Sequence, residues 1–282
     1  PEIDDNKELI VKEWDIFQLW NHRLMCWDST KIEDVELLMD WKESDMVFTD
    51  PPYLMWFEWN VHADWSKSFN AKHWAIKNDK MSREDWDQFI LDMFSTIQHF
   101  NLWAYYVCFY RLWLDYIFRA LDTLGNKYKA LIIRNKWNHT LSNSDYMSKY
   151  EPIVYGWFNN HNFYWDRSNF DIRDIERTKK NDLHPTMKPV ALVDKAIKNS
   201  SKKWDIVLDL FMWSWTTMIA CEQNGRICYW MELDPKYVEV IIKRFHQFSP
   251  SSEIKCVNRD IDLVNSNHKY ETLKHILYNC SW

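Results

Sequence analysis

The chain has 282 residues, of which 46% are hydrophobic and 27% charged, and its formal net charge is −6. This balance excludes an intrinsically disordered or collagen-like chain, and the negative charge provides no whole-molecule field that would draw the protein to nucleic acid. No apolar run reaches the roughly 18 residues of a membrane span, and no basic-then-apolar leader is present, so we expect a cytoplasmic protein without membrane contact. The six cysteines form no CxxC pair and are expected to be free thiols.

Strand-like runs alternate with helical patterns along most of the chain. Residues 1–20 are charged and weakly patterned, which predicts a linker or short helix ahead of one domain over 21–282. The predicted strands are 22–26, 45–49, 104–109, 129–134, 152–156, 205–210 and 227–232. The predicted helices are 30–40, 82–100, 111–124, 189–199, 215–224 and 235–247. Strands that alternate with helices indicate an α/β fold with a parallel-type sheet.

Two segments, 54–80 and 157–183, lack periodicity and are predicted to be long loops. Long loops in compact domains are usually functional. We therefore expect both segments to lie near the site and to take part in recognising the target.

Glycine is scarce and tryptophan abundant in this sequence. Average usage of roughly 7% would give about 20 glycines, but the chain has 3 glycines and 19 tryptophans. A chain of this size needs glycine for turns with positive φ and for close backbone approaches. The composition is that of a globular protein in which tryptophan has replaced glycine.

The most specific motif is Asp50-Pro51-Pro52-Tyr53, which follows the apolar run 46–48. It lies at the carboxyl end of a predicted strand, where open α/β sheets bind ligands. Two adjacent prolines fix φ, so the Asp50 carboxylate and the Pro51 carbonyl can accept hydrogen bonds from one amino group. Such acceptors would localise the lone pair of an exocyclic amine, and Tyr53 offers a face on which a base can stack. An ordinary strand-to-loop turn explains the same four residues without any chemistry.

A second motif covers residues 205–235 and has the βαβ layout of a nucleotide site. A strand ends at Asp209, a helix begins at Thr216, and a second strand ends at Glu232. In this layout the turn and the helix N-terminus meet the ligand, and the acid after the second strand binds ribose hydroxyls. The turn 212–215 has no glycine, so by itself it does not indicate a cofactor loop.

A third motif, His184-Pro185-Thr186-Met187-Lys188-Pro189, precedes the predicted helix 189–199. Threonine and lysine before a helix N-terminus suit the binding of a carboxylate. An ordinary helix start is the alternative interpretation.

Together the three motifs resemble the β-class of S-adenosylmethionine-dependent DNA amino-methyltransferases. DPPY, HPTMKP and LDLFxxSxTT followed by ELDPKY occur in the order of that class, a circular permutation relative to other methyltransferases. The resemblance extends over about residues 22–245 and includes Cys26–Thr30 and Tyr150–Gly156. It implies a Rossmann-like α/β fold with a seven-stranded mixed sheet and helices on both faces. It also implies double-stranded DNA as the partner, a target base flipped out of the duplex, and a restriction–modification or phage setting. DPPY favours adenine N6 as the methyl acceptor.

The resemblance assigns the target side of the site to the DPPY residues. Asp50, Pro51 and Tyr53 would hold the target amine and stack on the base, and Pro52 would shape the turn. The implied cofactor-binding residues are Asp28, Thr186, Lys188, Asp209, Phe211, Trp213, Ser214, Trp215, Thr216 and Glu232. Among them, Glu232 would bind the ribose hydroxyls, and Thr186 and Lys188 would lie near the methionine carboxylate. Asp28 would lie near the adenine edge, or alternatively cap a helix together with Ser29 and Thr30.

The sequence departs from the family pattern in the cofactor loop. The family loop is F-x-G-x-G, and Trp213 and Trp215 occupy both glycine positions; Trp27, Trp204 and Trp230 also stand where relatives usually have glycine. Two indoles would intrude into the cofactor site, so we expect this chain to bind S-adenosylmethionine poorly. Three alternatives stay open: a cytosine-N4 methyltransferase, a methyltransferase for another amine, and a non-catalytic fold that binds DNA or a partner. The oligomeric state is also open, a homodimer being one option.

Overall fold

The structure is a computed structural model that describes residues 9–53, 81–136, 145–165, 169–175, 188–212 and 215–261. Its strands are β1 (Ile16–Leu19), β2 (His22–Cys26), β3 (Ser44–Thr49), β4 (Asn101–Cys108), β5 (Ala130–Asn135), β6 (Tyr150–Trp157), β7 (Ile172–Asp174), β8 (Ile206–Asp209), β9 (Ile227–Glu232) and β10 (Ile254–Cys256). Its α-helices are α1 (Ile32–Met39), α2 (Arg83–Phe100), α3 (Leu114–Thr123), α4 (Val190–Ser200), α5 (Thr216–Asn224) and α6 (Pro235–Phe248). All seven predicted strands and all six predicted helices are present, with a short 3₁₀ turn (Arg111–Trp113) before α3.

The described residues form a ten-stranded sheet, so the predicted count of seven strands was too low. The additional strands β1, β7 and β10 have only three or four residues each. β1 lies in the segment predicted to be a linker or short helix, and β7 lies in the predicted loop 157–183. Strands this short carry too little alternation to be recognised and form because a neighbouring strand pairs with them. The predicted loop 54–80 lies outside the described residues.

The order of the strands is β10-β1-β2-β9-β8-β3-β4-β6-β5-β7. The central strands β2, β9, β8, β3 and β4 are parallel to one another. β1 pairs antiparallel with β2, and β6 pairs antiparallel with both β4 and β5. The sheet is therefore mixed, as expected. Because the central strands are parallel, their carboxyl ends meet at one edge, which we call the carboxyl edge.

Helices cover both faces of the sheet. Buried side chains of α4, α5 and α6 pack into one hydrophobic cluster, and those of α1, α2 and α3 into another. Successive residues of β3 alternate between the two: Met46 and Phe48 join the first cluster and Val47 the second. This period of two is what a strand buried on both faces requires. The Rossmann-like α/β architecture is thus confirmed.

Within the described residues, none of the helices combines the length and hydropathy that crossing a bilayer requires. Five of the cysteines lie in this part of the chain, and all five are buried free thiols. The same residues contain no cluster of His, Cys, Asp or Glu that could hold a metal ion. Cys280 lies outside the described residues.

Candidate active site

The DPPY tetrapeptide lies at the carboxyl edge, directly after β3. β3 lies between β8 and β4, so the tetrapeptide is next to the end of β8. Thr49 connects the two strand ends, because its hydroxyl donates to Asp209 Oδ1 over 2.9 Å and accepts from the Leu210 N–H over 3.2 Å. The fold therefore brings together two motifs that are about 160 residues apart in the chain.

Three side chains form a closed network at this tip. The Tyr53 hydroxyl donates to Asp50 Oδ1 over 2.5 Å, and the Lys188 ammonium lies 2.9 Å from Asp50 Oδ2 and 3.0 Å from the Tyr53 hydroxyl. Burial raises the pKa of Tyr53 well above its usual value; Asp50 adds to the rise and Lys188 opposes it. Burial by itself would lower the pKa of Lys188, but the negative charge of Asp50 and its other neighbours outweighs burial and raises it. These charges stabilise the ammonium form of Lys188 beside the tetrapeptide.

Asp209 fixes the start of the cofactor loop. The Asp209 carboxylate is buried and accepts hydrogen bonds from the Thr217 hydroxyl (2.6 Å) and the Phe211 N–H (3.1 Å), in addition to Thr49. Burial raises the pKa of Asp209 to about 6, although these donors stabilise its ionised form. One carboxylate thus holds β3, β8 and the first turn of α5 in register.

Glu232 ends β9 at the same edge, opposite Cys26 at the end of β2. Its Oε1 accepts from the Asp234 N–H over 2.8 Å. Burial raises the pKa of Glu232 to about 8, and the charges of Asp234 and Asp209 add to the rise. In βαβ nucleotide sites the acid at this position binds ribose hydroxyls, so the ribose-binding role of Glu232 stays a prediction.

Asp28 lies two residues beyond the end of β2. Its Oδ1 accepts from the Thr30 N–H (3.0 Å) and the Thr30 hydroxyl (2.9 Å), which closes a local turn. The N-cap of α1 is Lys31, which makes no side-chain capping bond. The alternative that Asp28 caps the helix is therefore wrong, because Asp28 stabilises the turn before the helix.

Trp213 and Ser214 of the cofactor loop lie outside the described residues, and so does Thr186 of the third motif. Phe211 packs against Phe89 of α2, with ring centroids 5.5 Å apart. The Thr216 hydroxyl donates to the Lys188 carbonyl over 3.2 Å and so joins the second and third motifs. Trp215 has φ of 53°, and its indole meets Phe248 edge-on at 6.2 Å, with the Arg244 guanidinium 5.9 Å from the ring.

The structure shows further site residues that the sequence did not indicate. The Trp113 indole N–H donates to the Tyr53 carbonyl over 2.7 Å. Glu151 pairs with Arg134 (2.7 Å) and Lys136 (3.3 Å). Burial alone would raise the pKa of Glu151, but Lys188, Arg134 and Lys136 lower it to about 2. Its position opposite Arg134 depends on the register of β5 and β6, which sequence spacing does not give.

We predict that Glu232→Gln will change how stability depends on pH. Because the folded-state pKa of Glu232 is raised from 4.5 to about 8, the folded chain holds a proton that the unfolded chain loses, so stability falls as pH rises through this window. Relative to the parent, the variant should gain about 1–3 kcal/mol in free energy of unfolding between pH 4 and pH 9. Urea titrations at several pH values measure the difference, with the exposed Glu33→Gln as the control. Parallel pH profiles of Glu232→Gln and the parent would refute the prediction.

Comparison with known proteins identifies the family. The family model described as DNA methylase, of N6/N4 type, matches residues 44–244, which is more than half of the chain. The chain is a member of the DNA methylase family. This confirms the family predicted from the three motifs.

Curated relatives of this DNA methylase match it over short stretches. The type II methyltransferase M.BglI of Bacillus subtilis is 32% identical over 36% of this chain and 30% of its own length. The DNA adenine methyltransferase YhdJ of Escherichia coli K12 is 39% identical over 22% of this chain and 21% of its own length. The chain thus aligns with less than a third of the length of these relatives.

Solved structures match the DNA methylase over more of its length. The M1.HpyAVI–SAM complex has a TM-score of 0.55 and 21% identity, and covers 78% of this chain and 98% of that one. At this level of identity the likeness establishes the fold.

Proposed function

We propose that this DNA methylase transfers a methyl group from S-adenosylmethionine to N6 of adenine in double-stranded DNA. The observation that carries the proposal is the Thr49–Asp209 hydrogen bond, which places the DPPY tip beside the βαβ unit that ends at Glu232. A methyl acceptor at Asp50 would therefore lie next to a nucleoside held at the strand ends. The family match supports this assignment.

The polar residues at the carboxyl edge fit S-adenosylmethionine. Glu232 would accept the ribose hydroxyls, Asp28 would lie near the adenine edge, and the start of α5 with the loop before it would hold the remainder of the cofactor. Trp215 keeps the left-handed backbone expected of a loop glycine, but it carries an indole. When bound, the cofactor supplies an electrophilic methyl group on its sulfonium.

The DPPY residues would prepare the acceptor. The adenine amine is a poor nucleophile because its lone pair is delocalised into the ring. Asp50 and the Pro51 carbonyl would accept hydrogen bonds from its two N–H groups and localise the lone pair on nitrogen, while Tyr53 stacks on the flipped base. The amine requires no strong base before the attack, so most of the rate should come from orientation.

Adenine is favoured over cytosine by the aspartate that opens the tetrapeptide. The family model covers both N6 and N4 enzymes, so cytosine N4 is the second candidate. A restriction–modification role in the cytoplasm is part of this proposal, and the names of relatives as type II methyltransferases support the restriction–modification role.

A substrate panel with methyl-labelled S-adenosylmethionine tests the proposed function. Duplex DNA, RNA and protein are incubated with the chain and with its Trp213→Gly/Trp215→Gly variant, and the DNA is digested to nucleosides. We expect label in N6-methyladenine from DNA. If the label is found in N4-methylcytosine, RNA or protein, that acceptor and not adenine is the substrate. If neither protein transfers label, a non-catalytic fold is favoured.

A further inference from the structure

Lys188 contacts the target side of the site, although the sequence placed it near the cofactor carboxylate. Its side chain is largely buried, and its ammonium lies within 3.0 Å of both Asp50 Oδ2 and the Tyr53 hydroxyl. The same ammonium lies 5.0 Å from the centroid of the Tyr53 ring. A buried ammonium is costly unless it is paired, so these contacts fix its position.

The surroundings of Lys188 also restrict its movement. Glu151 is a second negative group near the ammonium and is itself held by Arg134 and Lys136. The Lys188 carbonyl accepts from Thr216 at the start of α5. The lysine is thus attached by its backbone to the cofactor loop and by its side chain to the tetrapeptide.

We propose that Lys188 is a positioning residue for Asp50. Lys188 binds Asp50 Oδ2 and the Tyr53 hydroxyl binds Asp50 Oδ1. The two contacts together fix the plane of the carboxylate. A carboxylate oxygen has about two lone-pair sites, so an Asp50 oxygen that is bound to Lys188 can still accept a hydrogen bond from the target amine. The attachment to Thr216 couples the orientation of Asp50 to the cofactor loop. This inference rests on the proposed function.

The test uses Lys188→Met and Lys188→Arg in the Trp213→Gly/Trp215→Gly chain. Lys42→Met is the matched control, because Lys42 also lies on a tyrosine, with its ammonium 2.9 Å from the Tyr229 hydroxyl and 5.5 Å from the ring centroid. We expect Lys188→Met to lower kcat about 100-fold, with little change in the Kd of S-adenosylmethionine. Lys188→Arg should recover part of the loss, and Lys42→Met should have no effect.

An activity-independent measurement separates this proposal from the proposed function. The ¹³C carboxyl resonance of Asp50, assigned by its absence in Asp50→Asn, should shift in Lys188→Met and stay unchanged in Lys42→Met. If the resonance shifts but no chain methylates DNA, the proposed function fails while the contact stands. An unshifted resonance, or a weaker Kd for S-adenosylmethionine with unchanged kcat, would overturn the positioning role.

A second, independent observation concerns backbone conformation. Among the described residues, six non-glycine residues have positive φ, and five of them are tryptophans: Trp14, Trp20, Trp41, Trp204 and Trp215. Positive φ is a rare and strained conformation for a bulky side chain and an ordinary one for glycine.

Three of these tryptophans lie in turns of types that favour glycine. Trp14 and Trp204 are the third residues of the turns 12–15 and 202–205, each closed by a backbone hydrogen bond of 3.2 Å, where positive φ is the mark of a type II turn. Trp20 is the first residue of the two-residue β1–β2 hairpin loop, where positive φ marks a type II′ turn.

The three glycines of the chain also stand where glycine is needed. Gly125 and Gly225 have positive φ, and a Cβ on Gly156 would lie 2.3 Å from the Tyr105 hydroxyl. Glycine-requiring sites are thus held by glycine or, repeatedly, by tryptophan. Separate mutations would replace glycine by several residue types. Replacement by tryptophan alone indicates that one codon is read as glycine in one genetic code and as tryptophan in another.

We infer that Trp14, Trp20, Trp41, Trp204 and Trp215 are glycine positions, and that the cell carrying this gene inserts glycine there. One codon with a glycine meaning in that cell, and a tryptophan meaning in another genetic code, accounts for all five. Tryptophans with integrated side chains, such as Trp86 in the core and Trp113 on the Tyr53 carbonyl, are expected to be true tryptophans.

Peptide mass spectrometry of the protein purified from the cells that carry the gene tests the inference. We expect glycine at the five positions and tryptophan at 86 and 113; tryptophan at the five positions would overturn the decoding. Recombinant chains with all five changed to glycine or to alanine test the backbone argument. The glycine chain should have the higher urea midpoint, because alanine retains the strain at positive φ. Equal midpoints would contradict the assignment of these sites to glycine.

Discussion

The Trp213→Gly/Trp215→Gly variant is expected to bind S-adenosylmethionine about 100-fold more tightly than the unmodified chain. Inserting bulk into a packed site costs about 1–3 kcal/mol for each residue, so two residues cost about 2–6 kcal/mol, which is about 30-fold or more in affinity and includes this factor. At Trp215 the backbone is already left-handed, so glycine fits it without rearrangement. Isothermal titration calorimetry of both chains measures the change.

The control for this prediction is Trp41→Gly. Trp41 also has positive φ but is highly exposed and follows α1, so its replacement relieves backbone strain without altering the loop. It should leave the affinity unchanged. Micromolar binding by the unmodified chain would show that the indoles do not occlude the cofactor site.

The second large effect is expected for Asp50→Ala in the glycine-restored chain. The variant should lose methyl transfer by about 10³-fold, because removal of one preorganised polar group from a reacting centre costs about 10²–10³-fold and the Lys188 ammonium would lose its ion pair with Asp50. Binding to duplex DNA should change by less than about threefold, since phosphate contacts supply most of that affinity. Labelled methyl transfer and fluorescence anisotropy measure the two quantities.

Asp87→Ala is the matched control for Asp50→Ala. Asp87 is a partly exposed aspartate that pairs with Arg119 on the surface, and such a pair contributes little to stability. It should preserve both activity and DNA binding. Undiminished methyl transfer by Asp50→Ala would remove the tetrapeptide from the mechanism.

The sequence predicted the long elements because their patterns are strong. The α2 segment repeats apolar residues on one face, and Ser82 caps it by accepting from the Asp85 N–H. The β3 and β8 segments are short apolar runs with an acid at or just after the end, which also located both halves of the site. The short strands β1, β7 and β10 were missed because their pairing, not their composition, makes them strands.

The site was predictable as a set of motifs but not as a network. The sequence placed Lys188 beside the helix start, and only the packing of α4 against β3 brings its ammonium to Asp50. Glu151 belonged to a recognised segment, yet its pairing with Arg134 requires the antiparallel register of β5 and β6. The composition shows that glycine is scarce, but only the backbone angles show which tryptophans occupy positions with the positive φ that suits glycine.

The crystal structure of the Trp213→Gly/Trp215→Gly chain with bound S-adenosylmethionine would test the central claim most directly. We expect the ribose hydroxyls on the Glu232 carboxylate and the sulfonium methyl group directed toward Asp50 and the Pro51 carbonyl. A cofactor bound elsewhere, or bound with its methyl group directed away from Asp50, would contradict the account.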